Sequence, residues 1–415
     1  MSIITSLHAR EILDSKADPV VEVEIELASG HKALASNPSG ASTGDAESLD
    51  LRDGDPAWYG GKGVQKAVAN VNSIIANSII GRDFSTLSDL DHELLALDSS
   101  LNKSFLGANA LLPVSMAFAR AQADSQNQKL YQYFGRTGFF LPLPMILMLE
   151  GGKHGDWATD LQEFMVFPKS GAFPSFSAIL QAGVKIFQTL GTILKDNHFA
   201  TGVGFEGAYC PQELESNEQA FDLLTQAITD AGFAPSDQFV IAADMAASEY
   251  FQGGSYILKS EAHKSYSSIE WTEKIKYWAQ KYPVFSIEDP FDQNQWEDWV
   301  NLTSQIGSDH QIVGDDLVCT NTTKIQQAIE KRACNSVIIK PNQIGTVSET
   351  LAAIDLAQKA GFTTIVSHRA GETTDNFIAD LAVGMNCPQC KFGGINRGER
   401  ISKYNRLLAI ESSLT

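Results

Sequence analysis

The chain begins with apolar and acidic positions in alternation. In "VVEVEIELASG" the pattern runs from Val20 to Leu27 and stops at Gly30. A period of two predicts a strand with one face turned to a core. A loop of small residues, "NPSGASTGD", follows. From Gly63 to about Phe134 the apolar spacing changes to three and four, as in "VQKAVANVNSIIANSI", which predicts helices. "GFFLPLP" then reads as a linker and places a boundary near Gly138. Residues 1–137 are therefore expected to form a smaller α+β domain.

Beyond the boundary, short apolar runs alternate with amphipathic segments. "VFSIEDP", "QIVGDDL", "SVIIKPN" and "TTIVSHR" read as strands. "TNTTKIQQAIEKRA" has a Thr or Asn cap and apolar residues at Ile325, Ala328 and Ile329, and "VSETLAAIDLAQKAG" ends on a glycine in the helix-stop position. Unbroken apolar strands between helices are the mark of a parallel sheet covered on both faces. Polar residues close successive strands at Asp244, Glu288, Asp315, Lys340, His368 and Lys391, at intervals of 44, 27, 25, 28 and 23 residues. All but the first interval suit one βα unit. In a (β/α)8-type barrel, here expected over 138–415, such strand ends converge on one mouth.

Composition narrows the function. The 415 residues carry a formal net charge of -19. So acidic a surface repels phosphate backbones and anionic lipid, which argues against nucleic-acid binding and attachment to membranes. An anionic substrate would need a local cluster of cations or metal. Cys210, Cys319, Cys334, Cys387 and Cys390 form no disulfide framework. "MSIITSLHARE" has no signal-peptide pattern. The most apolar stretch, "FFLPLPMILML", is short and broken by Pro142 and Pro144, so no membrane insertion is expected. The expected setting is the reducing cytoplasm.

Three acids gathered at one barrel mouth repel unless a hard divalent cation with oxygen ligands, most often Mg2+, neutralises them. On that argument Asp244, Glu288 and Asp315 are candidate ligands. The alternative is three separately solvated loop acids. Lys340 is either a base, its pKa lowered by a neighbouring metal and a second lysine, or a surface lysine paired with a loop acid. Arg369 offers a planar cation suited to phosphate or carboxylate. A metal, a lysine base and an anion clamp together suit proton abstraction next to a carboxylate.

The same residues carry a resemblance. "AREILDSKADPVVEVEI", "PSGASTGDAESLDLRDGD", "GANALLPVSMAFARA", "LQEFMVFP", "SIEDPF", "VGDDL", "IIKPNQIGT", "SHRAGETTD" and "RGERISKYNRLLAIE" resemble the enolase family in order and over almost the whole chain. The resemblance implies a barrel with an antiparallel first hairpin, capped by the smaller domain, in a homodimer or higher homo-oligomer. It implies reversible dehydration of a small phosphorylated carboxylic acid, 2-phospho-D-glycerate, to phosphoenolpyruvate. Two Mg2+ ions per site would be used, the second bound with substrate. Asp244, Glu288 and Asp315 would hold the first ion and Ser42 the second. Lys340 would take the C2 proton. Glu206 would protonate the departing hydroxyl, with Glu163 nearby. Lys391 would bind the carboxylate and Arg369 the phosphate, while His154, Gln162, His368 and Ala370 would complete the pocket. Gly40 and Gly44 around Ser42 suit a loop that closes over substrate.

Several positions depart from the family pattern. "DSKADP" stands where "DSRGNP" is usual, a change expected to alter a turn or the subunit contact. "GFEGA" replaces "GDEGG", so the Phe205 ring is expected to dry Glu206 and raise its pKa. "SHRAGE" replaces "SHRSGE", removing a hydroxyl at Ala370. "EGGKHGD" replaces "NGGSHAG", bringing Glu150 and Lys153 near His154. Three readings compete: a divergent family enzyme, a paralogue acting on a related phosphorylated or phosphonate acid, and a non-catalytic scaffold on the same fold. "CPQC" adds a minority expectation, a Cys387–Cys390 disulfide that displaces Lys391.

Overall fold

The structure, a computed structural model, describes residues 2–41 and 43–414. Its first part is an antiparallel sheet of β1 (Ile4–Leu13), β2 (Pro19–Leu27) and β3 (Lys32–Ser36), with β2 in the middle. The alternation in β2 has the expected result: Val21, Val23, Ile25 and Leu27 are buried, while Glu22, Glu24 and Glu26 are partly exposed. The helix Ala108–Ser125 packs on β2 and β3. The helical stretch after Gly63 contains a π-helical turn at Val71–Ile75, and both of those end residues are buried.

The second part is a closed eight-stranded barrel. Its strands are β4 (Leu143–Glu150), β5 (Glu163–Pro168), β6 (Phe239–Asp244), β10 (Val284–Glu288), β11 (Gln311–Gly314), β12 (Ser336–Ile339), β13 (Thr363–Ser367) and β14 (Gln389–Lys391). Between β6 and β10 the chain makes a small separate sheet of β7 (Phe251–Gln252), β8 (Ser255–Leu258) and β9 (Lys264–Ser267). That excursion accounts for the one long interval in the strand-end spacing. β5 runs antiparallel to both β4 and β6, and the other neighbours are parallel. The expected antiparallel first hairpin is therefore present.

The apolar run before Gly151 forms β4, fully buried from Pro144 onward. One helix, Phe176–Asp196, has the length and mean hydropathy to cross a membrane. Here it packs on β4 and on the helix Asn217–Asp230, as part of the barrel's outer layer.

The two parts share backbone and side-chain contacts. Ser39 and Gly371 exchange N–H to carbonyl bonds of 2.7 and 2.9 Å. A Cβ on Gly371 would lie 2.2 Å from Asp14 Oδ2 and 2.3 Å from Ser39 Oγ, so only glycine fits this junction. The helix Val347–Lys359 begins against the first domain. Its own cap is Thr346, but the Ser348 N–H donates to Asp91 Oδ2 at 2.8 Å and the Val347 N–H to Ser115 Oγ at 3.1 Å. These two N-terminal donors are thus satisfied from across the domain boundary.

Burial pushes the Asp91 carboxyl up to about 6, against the pull of its Ser115 and Ser348 bonds. A raised carboxyl pKa means that the folded state binds the proton more tightly, so stability falls as pH rises through the window from the ordinary value to about 6. Asp91→Asn removes that penalty and keeps an acceptor. We expect its thermal midpoint to gain on wild type at pH 7 and the gap to narrow by pH 4, measured by calorimetry across that range.

Candidate active site

Barrel closure brings the charged strand ends to one level. Across the sheet Glu150 pairs with Glu163, Glu163 with Asp244, and Asp244 with Glu288. Glu163 is the first residue of β5, not the last. It reaches the mouth only because β5 is reversed, which the spacing of strand C-termini could not reveal. Asp315, Lys340 and His368 each follow the last residue of their strand, and Lys391 closes β14. His154, Gln162, Glu163, Glu206, Asp244, Asp315, Lys340, His368, Arg369, Ala370 and Lys391 line one cavity. Glu288 lies below it and bonds to Lys391. Ser42 lies outside the described residues.

Charge compensation at the mouth is local. Lys391 Nζ bonds to Asp244 Oδ2 at 2.9 Å and Glu288 Oε2 at 2.8 Å, and lies 3.2 Å from Glu163 Oε2. Lys340 Nζ bonds to Asp315 Oδ2, while Gln343 Nε2 donates to Asp315 Oδ1 at 2.9 Å. Arg369 holds Glu47 with two bonds, 2.9 and 3.2 Å, and donates to Asn342 Oδ1 at 3.1 Å. Glu47 belongs to the first domain's loop. The sequence reading missed it because nothing in its local pattern separates it from solvated loop acids.

The lowering expected of the Lys340 amine depends on a bound metal and a second lysine; in the metal-free site Asp315 is the charge that touches it. Burial and the neighbouring Arg369 and Lys391 do push it down, but Asp315 against Nζ outweighs them and raises it above the ordinary lysine value. Asp315 is correspondingly held below the carboxylate range despite its burial. Burial and the nearby Asp244 lift Glu288 to about 8.

His368 has a defined role in this arrangement. Arg400, fully buried, donates to His368 Nδ1 at 2.6 Å and to the carbonyls of Arg369 and Ala370 at 2.6 Å each. Arginine has no acceptor, so Nδ1 must be the unprotonated nitrogen. The proton then sits on Nε2, which faces Glu206 Oε2 at 3.2 Å. Burial, reinforced by Arg400, pushes His368 down to about 3, so the ring is neutral. His154 Nδ1 lies 3.4 Å from Glu206 Oε1 and 3.6 Å from Glu163 Oε1, and burial lowers this ring too. Burial raises Glu206, but the two histidines and Arg400 outweigh it and hold that carboxyl low. Burial and the surrounding carboxylates lift Glu163 well above the ordinary range.

Three departures from the family pattern are now located. Phe205 is 40% exposed and lines a neighbouring groove, so it does not dry Glu206, whose burial comes from the two histidines and the barrel. Glu150 is buried and accepts the backbone N–H of Glu206 at 3.1 Å and of Ala208 at 2.8 Å. Lys153 turns outward to Glu249. Cys387 and Cys390 are fully buried free thiols, both pushed up by burial, Cys387 to about 12, and so are poor candidates for redox exchange.

The acids suit a cation. Acidic side chains outnumber cationic ones around the cavity, and Glu288 Oε1, Glu163 Oε2, Glu206 Oε2, Gln162 Oε1 and His154 Nδ1 are buried without a hydrogen bond. Buried polar atoms are seldom left so, and these surround one cavity. Ligand atoms of His154, Glu163 and Glu206, and separately of Asp289, Asp315 and Asp316, lie within 4.8 Å of one another. Asp289 was not singled out by spacing. It sits at a left-handed φ of 43° and accepts the N–H groups of Asp315 and Asp316 at 2.9 Å each. Backbone strain held by such bonds is typical of functional sites. Of the three acids expected to hold the ion, Asp315 belongs to the group with Asp289 and Asp316, whereas Asp244 and Glu288 meet through the Lys391 amine. All three offer the carboxylate oxygens that a hard divalent cation takes, and Glu288 Oε1 is unpartnered.

Residues 138–415 match the family described as "Enolase, C-terminal TIM barrel domain", and residues 4–134 match "Enolase, N-terminal domain". Two matches in order take in nearly the whole chain, and the barrel with its reversed second strand agrees with both. The chain belongs to the enolase family.

Proposed function

We propose that the protein is a Mg2+-dependent hydro-lyase that interconverts 2-phospho-D-glycerate with phosphoenolpyruvate and water. The observation that carries this reading is the placement of Lys340, Asp244, Asp315 and the Glu163–Glu206 pair around one cavity, with Glu288 joined to it through Lys391. Asp244, Glu288 and Asp315 would hold the ion. A divalent cation there supplies positive charge for the enolate dianion and takes over Asp315's negative charge from Lys340.

The chain's own residues divide the remaining work. Lys340 Nζ, once released from Asp315 and having given its own proton to solvent, accepts the C2 proton as the free amine. Glu206, in its acid form, delivers a proton to the C3 hydroxyl, and His154, 3.4 Å from Glu206 and 3.6 Å from Glu163, stands between the two carboxyls. The C2–H and C3–O bonds break, the C2–C3 double bond forms, and water leaves. Arg369 and Lys391 hold the two anionic ends, exchanging Glu47 and the barrel carboxylates for substrate. Arg400 keeps His368 neutral and its Nε2–H directed at Glu206. The scaffold reading has less support, because a binding protein has no need of so many buried acids sharing two lysines.

Two experiments test this. Phosphoenolpyruvate formation from 2-phosphoglycerate, followed by ultraviolet absorbance, should require Mg2+ and cease with chelator. Lys340→Ala should lose about 10²- to 10⁴-fold in turnover, the usual scale for a positioned base, without weaker metal binding. Mg2+ at 100 times its dissociation constant should also raise stability by about 2.7 kcal/mol. Glu288→Gln should abolish that rise in a thermal melt, a readout independent of turnover. Metal-dependent stabilisation without turnover would assign the site to a different acid.

A further inference from the structure

Beside the catalytic cavity lies a second, more open groove of about 470 Å³. Lys16, Arg52 and Lys62 supply its cations, Phe205 an exposed aromatic wall, and Asp18 its one acid. Ala41 lines both this groove and the catalytic cavity, so the two spaces adjoin. In a chain of net charge -19, a cationic groove opening beside an anion-handling site is out of keeping with the rest of the surface.

The cations are held by the fold. Lys16 Nζ donates to the Gly40 carbonyl at 2.8 Å and lies 3.7 Å from Asp18. Lys62 Nζ bonds Asp18 at 2.7 Å. Arg52 is fixed by the carbonyls of Pro19 and Lys62 at 2.6 and 2.9 Å. Asp18 thus serves two lysines, Arg52 also meets Asp50 at 3.4 Å, and Asp14 acts on Lys16 from outside the groove; along the groove's own lining three cations face one acid. Lys16 is pushed down chiefly by burial, and Arg369 contributes in the same direction, so the two cations sense each other across the wall between groove and cavity.

Two of the family departures meet here. Ser15, next to Lys16 in "DSKADP", donates to the Ala370 carbonyl and packs its backbone N–H on Glu372. Arg400 ties the Phe205 carbonyl to the Ala370 carbonyl. "DSKADP" does form a turn, with Ala17 at φ 62° and its N–H on the Asp14 carbonyl, and it also places Lys16 at the site's edge.

We propose that this groove is a second oxyanion subsite, taking a phosphate, phosphonate or carboxylate group in addition to the one held at Arg369. The group is either the anionic tail of a substrate longer than 2-phosphoglycerate or a separate small anion. The inference rests on the reading of the neighbouring cavity as the reaction centre, and deepens it by naming a further determinant of substrate choice. Phe205 gives the tail an apolar wall, and Lys16 and Lys62 give it charge-assisted donors.

The test uses the whole protein without metal. Inorganic phosphate is titrated by calorimetry into wild type, Lys16→Gln/Lys62→Gln, and Lys16→Arg, with a phosphate-soaked crystal to place the sites. We expect two sites in wild type, one of them weakened about tenfold or more in the double variant and retained in Lys16→Arg, as loss of charge-assisted bonds implies. In a second arm, 2,3-bisphosphoglycerate is compared with 2-phosphoglycerate. A binding advantage for the bisphosphate that disappears in the double variant assigns the subsite to a substrate tail, and phosphate loss without that advantage assigns it to a separate anion. Unchanged phosphate titration in the double variant, or density at Arg369 alone, overturns the proposal. So does a change of oligomeric state in the double variant with phosphate binding intact, which would make the groove a contact between copies of the chain. None of these readouts depends on turnover, so failure of the dehydration assay remains a separate result.

Discussion

The fold concentrates carboxylates where water is scarce, and everything at the mouth follows from how that charge is balanced. Asp244, Glu288 and Glu163 share one lysine amine, Asp315 has a second, and Glu47 occupies Arg369. Burying any one of these acids unpaired would cost several kcal/mol, whereas each pair is close to break-even. The site is therefore poised. Its internal ion pairs are good enough to hold the chain together and weak enough to be exchanged for a cation and an anionic ligand of the same signs.

Barrel geometry makes this concentration possible. Strand ends far apart in sequence arrive at one level because neighbouring strands are in register, and the reversed β5 contributes Glu163 from its beginning. A parallel strand in that position would carry the same residue to the opposite end of the barrel. Buried hydrogen bonds from Arg400 and Asp289 then fix orientation: one sets the His368 tautomer, and the other pins the backbone that carries Asp315 and Asp316. Arg400 stays outside the cavity and acts through His368, whereas Asp289 lines the cavity as well as holding that backbone.

The first domain is part of this balance and not an appendage. It supplies Glu47 to Arg369, Asp91 and Ser115 to a barrel helix, and Ser39 to the junction with Gly371. The loop that precedes Glu47 therefore lies between two bodies that are already tied together. The position of Glu47 and the Arg369 pair are coupled, because the carboxylate that neutralises Arg369 comes from the first domain.

Local pattern was enough for much of this protein. Alternation placed β2, unbroken apolar runs placed β10 to β13, and the regular intervals between strand-closing polar residues predicted a shared mouth. These features are legible because period and spacing are properties of the chain itself. The 44-residue interval resisted that reading, since an inserted sheet has no signature at the strand ends. Glu163, Glu47, Asp289 and Arg400 were invisible to spacing for a common reason: each owes its position to a neighbour more than twenty residues away or to a reversed strand. Protonation was likewise decided in three dimensions. Residue type alone suggested a dried, raised Glu206, whereas histidines and Arg400 surround that carboxyl and Phe205 faces outward. For Lys340 the sequence could not show that, without metal, Asp315 is the charge that touches it. A charge's pKa depends on what is packed against it, and that is settled only when the barrel closes.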